Sequence, residues 1–185
     1  MSAIRIGLYG GTFDPIHKGH MHVITALFAR DLVDELVLIP AGQPWMRSDA
    51  PTASSHDRLE MTKLAVSELP VEIAAHVSIS DLEIKRSGPS YTIDTVKEIQ
   101  ALRPDAHLIL ILGSDAFAAI DKWHESAQLR SLVEILVIAR DGEGLDINAL
   151  PISATTIRTL TQTHLEDSPS SVARYIKEKN LYGRQ

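Results

Sequence analysis

His17 and His20 stand three residues apart, just behind two glycines, in the run Gly10-Gly11-Thr12-Phe13-Asp14-Pro15-Ile16-His17-Lys18-Gly19-His20. Two imidazoles at that spacing share one face of a helix's first turn. Glycines let the backbone come close to a ligand because no Cβ intervenes. A helix start presents N–H groups and the positive end of its dipole. The combination suits phosphate charge. It is neither the dinucleotide pattern GxGxxG nor the P-loop GxxxxGK(S/T). Metal ligation by His17, His20 and His22 is disfavoured, because no carboxylate or Cys completes a zinc-type spacing, so no metal ligands are assigned. His22, His56, His76, His107, His124 and His164 stand outside any motif and read as packed or solvated residues.

Three further segments carry polar chemistry. Ile152-Ser153-Ala154-Thr155-Thr156-Ile157-Arg158 reads as a helix start. Ser153, Thr155 and Thr156 can cap it and leave N–H groups for an anion, and Arg158, one turn in, can grip polyphosphate oxygens in bidentate fashion. An ordinary cap with a solvated Arg is the alternative. In Gly113-Ser114-Asp115 the carboxylate can accept ribose hydroxyls or serve as an N-cap. Ser90-Tyr91-Thr92 follows the turn Ser87-Gly88-Pro89. Its amides can receive a carboxylate, or it is a capped helix with a core Tyr. Trp123 offers a flat face to an aromatic ring, or packs in the core.

These segments need a frame. Apolar runs at 4–9, 35–39, 71–80, 108–112 and 135–139 read as buried strands, the first ending at Gly10-Gly11. Helical spacing marks 20–30, a helix from Ser55 with Leu59, Met61, Leu64 and Ala65 on or near one face, 91–102, a short helical region up to Leu132, and two helices from about Ser153 and Ser170. Strands separated by helices imply parallel crossovers, hence an α/β Rossmann-like doubly wound parallel sheet in a single domain over 1–185. Such sheets bind ligands beyond the carboxyl ends of the strands at the topological switch point. The loops after Tyr9, Ile39, Leu112 and Ala139 are therefore the ones to watch. Residues 41–53, rich in Gly, Pro, Ser and Asp, read as a mobile loop.

Composition narrows the class. The 185 residues are 44% apolar and 23% charged, a globular balance for about one domain. A net charge of −6 disfavours a nucleic-acid coat without excluding a local basic pocket. The absence of Cys removes disulfides, zinc–thiolate sites and thiol catalysis. No apolar run approaches the roughly 20 residues of a membrane span. A soluble, cytoplasmic protein is expected, with no nucleic-acid or membrane partner; homo-oligomerisation stays open.

The run from Gly10 to His20 resembles the signature of the nucleotidylyltransferase superfamily: a glycine-Thr-Phe-Asp-Pro turn followed by His-x-Gly-His, with every position present. With Ser90-Tyr91-Thr92-Ile93-Asp94-Thr95, Gly113-Ser114-Asp115, Trp123 and the Ser153–Arg158 segment, nearly the whole chain resembles the nicotinate-nucleotide adenylyltransferases of NAD synthesis. Gly42-Gln43-Pro44-Trp45 is similar to some bacterial members. The resemblance implies transfer of AMP from ATP to nicotinate mononucleotide, with Mg²⁺ arriving on ATP. It implies that His17, His20 and Arg158 are catalytic, with His20 nearest the α-phosphate. Gly10, Gly11, Thr12, Phe13, Gly113, Asp115, Ser153, Thr155 and Thr156 would bind ATP. Ser90, Tyr91, Thr92, Trp45 and Trp123 would bind the acceptor, with Trp123 stacked on the nicotinate ring.

Phosphopantetheine adenylyltransferase is the nearest rival, but that family usually has Thr where His17 stands and lacks the Ser-Tyr-Thr-x-Asp-Thr segment. A cytidylyltransferase is a weaker rival. A nucleotide sensor without turnover is argued against by the intact His17, His20 and Arg158. The chain departs from the family at Ala154, where a second Ser is frequent. It has Arg140-Asp141-Gly142 in place of Arg-Pro-Gly, a short 141–151 segment in which a strand is expected to be missing, and Asn180 where Gly is common.

Overall fold

The computed structural model describes residues 3–44, 50–139 and 144–183, with side chains omitted at 161 and 162. Five strands form one parallel sheet: β1 (Arg5–Gly11), β2 (Glu35–Pro40), β3 (Val77–Ile79), β4 (His107–Gly113) and β5 (Glu134–Ile138), in the order β3-β2-β1-β4-β5. The chain winds outward from β1 to β2 and β3, then crosses to β4 and β5. The switch point therefore lies between the carboxyl ends of β1 and β4, where Gly10, Gly11 and Gly113 sit.

Side chains alternate between two cores, as strand geometry requires. Ile6, Leu8, Leu108, Leu110 and Leu112 face α5 (Thr92–Leu102) and α7 (Ser126–Leu132), packing with Ile93, Val96, Ile99 and Leu129. Tyr9, Leu36, Leu38, Ile109 and Ile111 face the other layer, α1 (Lys18–Ala29), α2 (Ser55–Ser67) and α10 (Ser170–Glu178), with Ile24, Leu27, Met61, Ala65, Val172 and Ile176. Short helices fill the connections: α3 (Val71–Ala74), α4 (Leu82–Lys85), α6 (Ser114–Ala118), α8 (Ala154–Thr159) and α9 (Thr161–His164).

Several expected boundaries move. The strand expected over 71–80 shrinks to β3, because Pro70 starts a turn whose carbonyl accepts from Ile73 and Ala74, leaving Val71 81% exposed. The α2 cap is Ser54, whose hydroxyl accepts from the Asp57 amide at 3.1 Å. Its buried stripe is Arg58, Met61, Thr62 and Ala65, rotated from the one expected. Ser153 is the N-cap residue of α8, but its side chain makes no capping bond among the described residues. Beyond β5 a lone parallel bridge pairs Ile138 with Leu145, and the described residues hold no further strand there. Among the described residues, no helix is long and apolar enough to cross a membrane.

Asn180 has a physical explanation. It follows α10 with φ 51°, the left-handed conformation that ends many helices and that Asn tolerates better than most residues. The Asn180 amide donates to the Lys177 carbonyl and the Leu181 amide to that of Ile176, a Schellman pair. This turn directs Tyr182 back toward the end of β1.

Candidate active site

At the switch point a cavity of about 600 Å³ opens over the ends of β1 and β4. It is lined by the loop residues from Gly10 to Asp14, by His17 and His20, and by Arg158. A second lobe of about 240 Å³ shares Gly10, Gly11, Thr12, Gly113 and Trp123 with the first and continues toward Ser90 and Thr92. The two lobes form one cleft in two parts.

The first lobe is built by the start of α1. His17 is the N-cap residue, with extended backbone, and His20 is the third residue of the helix. The His17 amide donates to His20 Nδ1 at 3.1 Å, the place a Glu or Gln takes in a capping box. An Nδ1 that accepts carries no proton, so the neutral ring bears its proton on Nε2. The two imidazoles stack with centroids 3.7 Å apart, and Phe13 meets His20 edge-on at 5.1 Å. Phe13 itself has φ 49° and is buried. A Cβ on Gly11 would lie 2.7 Å from the Phe13 ring, so Gly11 is required by packing, whereas Gly10 meets only the Ile39 carbonyl, at 4.0 Å. Close ligand approach is thus the argument for Gly10 alone.

Arg158 projects from α8 across to the loop that follows β1. Its Nη1 donates to the Asp14 carbonyl at 2.6 Å and its Nη2 to Thr155 Oγ1 at 3.2 Å. Ser153, Thr155 and an exposed Asp115 line the same lobe, while Thr156 lies outside the lining. Gly113, not Asp115, is the N-cap residue of α6.

The acceptor-side residues divide. Ser90, Thr92 and Trp123 line the smaller lobe. Tyr91 does not; its ring packs on that of His124 with centroids 4.3 Å apart. The Ser90 amide is committed to the Gln43 carbonyl at 3.0 Å and the Asp94 amide to the Tyr91 carbonyl at 3.1 Å, so the Thr92 and Ile93 amides of α5 are the ones that can meet a carboxylate. Trp45 and the segment 140–143 lie outside the described residues.

Three buried polar residues, Asp14, Arg58 and Glu83, and the half-buried Tyr182 were given no role by the motif reading. The Asp14 carboxylate accepts from the Thr52 amide (2.8 Å), the Ala53 amide (3.1 Å) and the Tyr182 hydroxyl (2.7 Å). Burial and the Asp14 charge hold the Tyr182 hydroxyl well above its ordinary pKa, so it stays a donor. Arg58, 1% exposed, donates to the Thr12 carbonyl at 2.8 Å and the Gly42 carbonyl at 3.1 Å. Glu83, 8% exposed, accepts from Thr95 Oγ1 at 3.0 Å; burial raises its pKa, and bonds from Thr95, Gly42 and Ser90 oppose the rise. One signal was available in the sequence. Arg58 sits on the stripe that Met61, Thr62 and Ala65 define, where an Arg must have buried partners.

Residues 8–160 match the model of the cytidylyltransferase-like family. The chain belongs to that family. A probable nicotinate-nucleotide adenylyltransferase of Dehalococcoides mccartyi (strain ATCC BAA-2266 / KCTC 15142 / 195) is 34% identical over 209 residues, covering 100% of both chains. One of Streptomyces coelicolor is 37% identical over 191 residues, covering 94% of this chain and 98% of the relative. Among solved structures, a Plasmodium falciparum nicotinic acid mononucleotide adenylyltransferase complexed with NaAD superposes with a TM-score of 0.81 at 23% identity over 97% of each chain. At that identity the likeness speaks for the fold: the family's architecture is the one described above.

Proposed function

We propose that this chain transfers the adenylyl group of ATP to nicotinate mononucleotide, releasing pyrophosphate and nicotinate adenine dinucleotide as a step of NAD synthesis. The observation that carries the reading is the cleft itself. One lobe gathers two imidazoles and a guanidinium, the other is apolar with a helix start and an indole, and they meet at Gly10–Thr12. The relatives named nicotinate-nucleotide adenylyltransferase support the same acceptor.

The chemistry follows from the charges. An oxygen of the acceptor 5′-phosphate attacks the α-phosphorus of ATP in line; that P–O bond forms as the bond to the bridging α,β-oxygen breaks, and pyrophosphate leaves. A phosphate is already an anionic nucleophile, so positioning and charge neutralisation take the place of a strong base. His20, with its proton on Nε2, donates toward the α-phosphate oxygens, where charge grows. Its orientation is fixed by the His17 amide. Arg158, braced by Asp14 and Thr155, faces the leaving end. Gly113 and Asp115 are assigned to the ribose, and Ser153 and Thr155 to the phosphates; all four line the larger lobe.

Among the described residues no three His, Cys, Asp or Glu side chains gather to hold a metal ion. A Mg²⁺ arriving on ATP would neutralise phosphate charge. The deciding assay is pyrophosphate release with ATP and, in turn, nicotinate mononucleotide, nicotinamide mononucleotide and phosphopantetheine. Turnover with the first far above the others is expected; preferred use of phosphopantetheine would overturn the reading.

A further inference from the structure

The peptide unit of Gly42 lies between two buried charged side chains that contact opposite halves of the cleft. Its carbonyl accepts from Arg58 Nη2 at 3.1 Å, and its other side lies directly against the backbone of Glu83 and the Ser90 hydroxyl. The other guanidinium nitrogen, Nη1, holds the Thr12 carbonyl of the loop that follows β1 at 2.8 Å. The Glu83 carboxylate in turn accepts from Thr95 Oγ1 of α5 at 3.0 Å, in the wall of the smaller lobe. A side chain at residue 42 has no room: a Cβ would fall 2.0 Å from the Glu83 carbonyl oxygen. Gln43 and Ser90 complete the joint, the Gln43 amide donating to Ser90 Oγ at 3.2 Å and its carbonyl accepting from the Ser90 amide at 3.0 Å. One line of bonds and close packing thus runs from α5 through Glu83, Gly42 and Arg58 to the loop that follows β1.

Buried charges are a costly way to hold a core together, and apolar residues of equal volume often do it better. Glu83 and Arg58 do not pair with each other through a salt bridge. Arg58 instead bonds the backbone carbonyls of two segments that line the cleft, and Glu83 bonds the Thr95 hydroxyl of α5. That arrangement fixes a distance between segments, and distance is what in-line transfer demands, with reacting atoms held about 3–3.5 Å apart. We propose that Glu83 and Arg58 are positioning residues that clamp Gly42 between the two lobes and so set where the acceptor sits relative to ATP. The inference rests on the reading above that the smaller lobe takes the acceptor.

The test is steady-state kinetics with ATP and the acceptor varied separately, beside thermal unfolding. Glu83→Gln places an amide where the Thr95 hydroxyl donates, beside Gly42. The acceptor KM should rise about tenfold or more, a loss near 1.4 kcal/mol, while the ATP KM stays within about twofold. Thr95→Val removes one hydroxyl bond at nearly constant volume and should raise the acceptor KM several-fold; Thr95→Ser should restore it. Arg58→Lys keeps the charge but cannot reach two carbonyls with a rigid fork, so kcat should fall about tenfold.

A purely structural role would lower the melting temperature and the active fraction while leaving both KM values unmoved. That result, or an equal rise in both KM values, overturns the clamp. If Glu83→Gln does not fold, the Thr95 pair decides. The wild-type protein separates the two readings: failure to use nicotinate mononucleotide overturns the acceptor assignment, and the same KM comparison on whichever acceptor it uses still decides the clamp.

Discussion

The larger lobe is lined by His17, His20, Arg158, Ser153 and Thr155, whereas the smaller lobe is walled by Leu8, Ile39, Val96, Leu110 and Trp123, with Glu83, Ser90, Thr92 and Thr95 among its polar members. The division follows the reaction. Charge develops around the α-phosphorus and the leaving pyrophosphate, so preorganised donors belong there. The acceptor's ring does no chemistry, so its lobe has only to orient and select. Damage to the larger lobe should therefore fall mainly on kcat, and damage to the smaller lobe on acceptor KM and selectivity.

The sharpest way to break this division is His20→Ala. In the proposed mechanism the ring touches charge that grows in the transition state, so kcat should fall roughly 100-fold or more, with ATP affinity much less affected. The fold should survive, since the ring lies at the first turn of α1 and not within the apolar cores. Near-normal turnover in a folded variant, with kcat and ATP KM measured together, would remove His20 from the chemistry.

The smaller lobe faces an equally direct test. Nicotinate and nicotinamide are nearly the same size, so shape discriminates them poorly and charge must do it. First-turn amides of α5 and the positive end of its dipole suit a carboxylate, whereas a neutral amide turns an NH₂ group toward donors. A preference of about 100-fold in kcat/KM for nicotinate mononucleotide is expected, equal to roughly 3 kcal/mol. Trp123→Ala should weaken both acceptors without closing the gap, since stacking ignores the substituent. Equal use of the two by the wild-type protein would falsify this account of the lobe.

Arg158 gives a smaller effect. Arg158→Lys keeps the charge and loses the fork that now spans the Asp14 carbonyl and Thr155. A drop of about tenfold in kcat/KM for ATP is expected, with acceptor KM little changed. If Arg158→Ala leaves ATP binding and turnover intact, the α8 segment is only a helix start.

The sheet was legible in the sequence because each strand is a short apolar run bounded by turn residues, and the alternation with helices dictates parallel crossovers. The five runs became the five strands, and the β1–β4 switch point fell where the Gly10–His20 motif and Gly113 lie. What could not be read were bonds to distant backbone. Arg58 reaches carbonyls 46 and 16 residues away, and Tyr182 reaches Asp14 across 168. Neither periodicity nor a motif encodes such pairings. Ser90 is instructive in the same way: its place before α5 suggested a free donor, but the backbone of Gln43 had already engaged its amide.

The mildest prediction tests how far the larger lobe extends. Tyr182 lies beyond α10, delivered by the left-handed turn at Asn180, and its hydroxyl is one of three donors on the Asp14 carboxylate. The carbonyl of the same Asp14 holds Arg158. Tyr182→Phe keeps the ring and removes one hydrogen bond to a buried charge, a loss of about 1.5 kcal/mol. For a chain of this size that is a fall of roughly 3–6 °C in melting temperature. The two amide bonds from Thr52 and Ala53 remain, so Asp14 should keep its place and kcat should drop no more than about threefold. Thermal unfolding and initial rates on the same preparation check both numbers. A kcat loss as large as that of Arg158→Lys would mean that the C-terminal tail orients Arg158 and belongs to the catalytic lobe; a melting temperature unchanged by the substitution would mean that the Tyr182–Asp14 bond does not persist in solution.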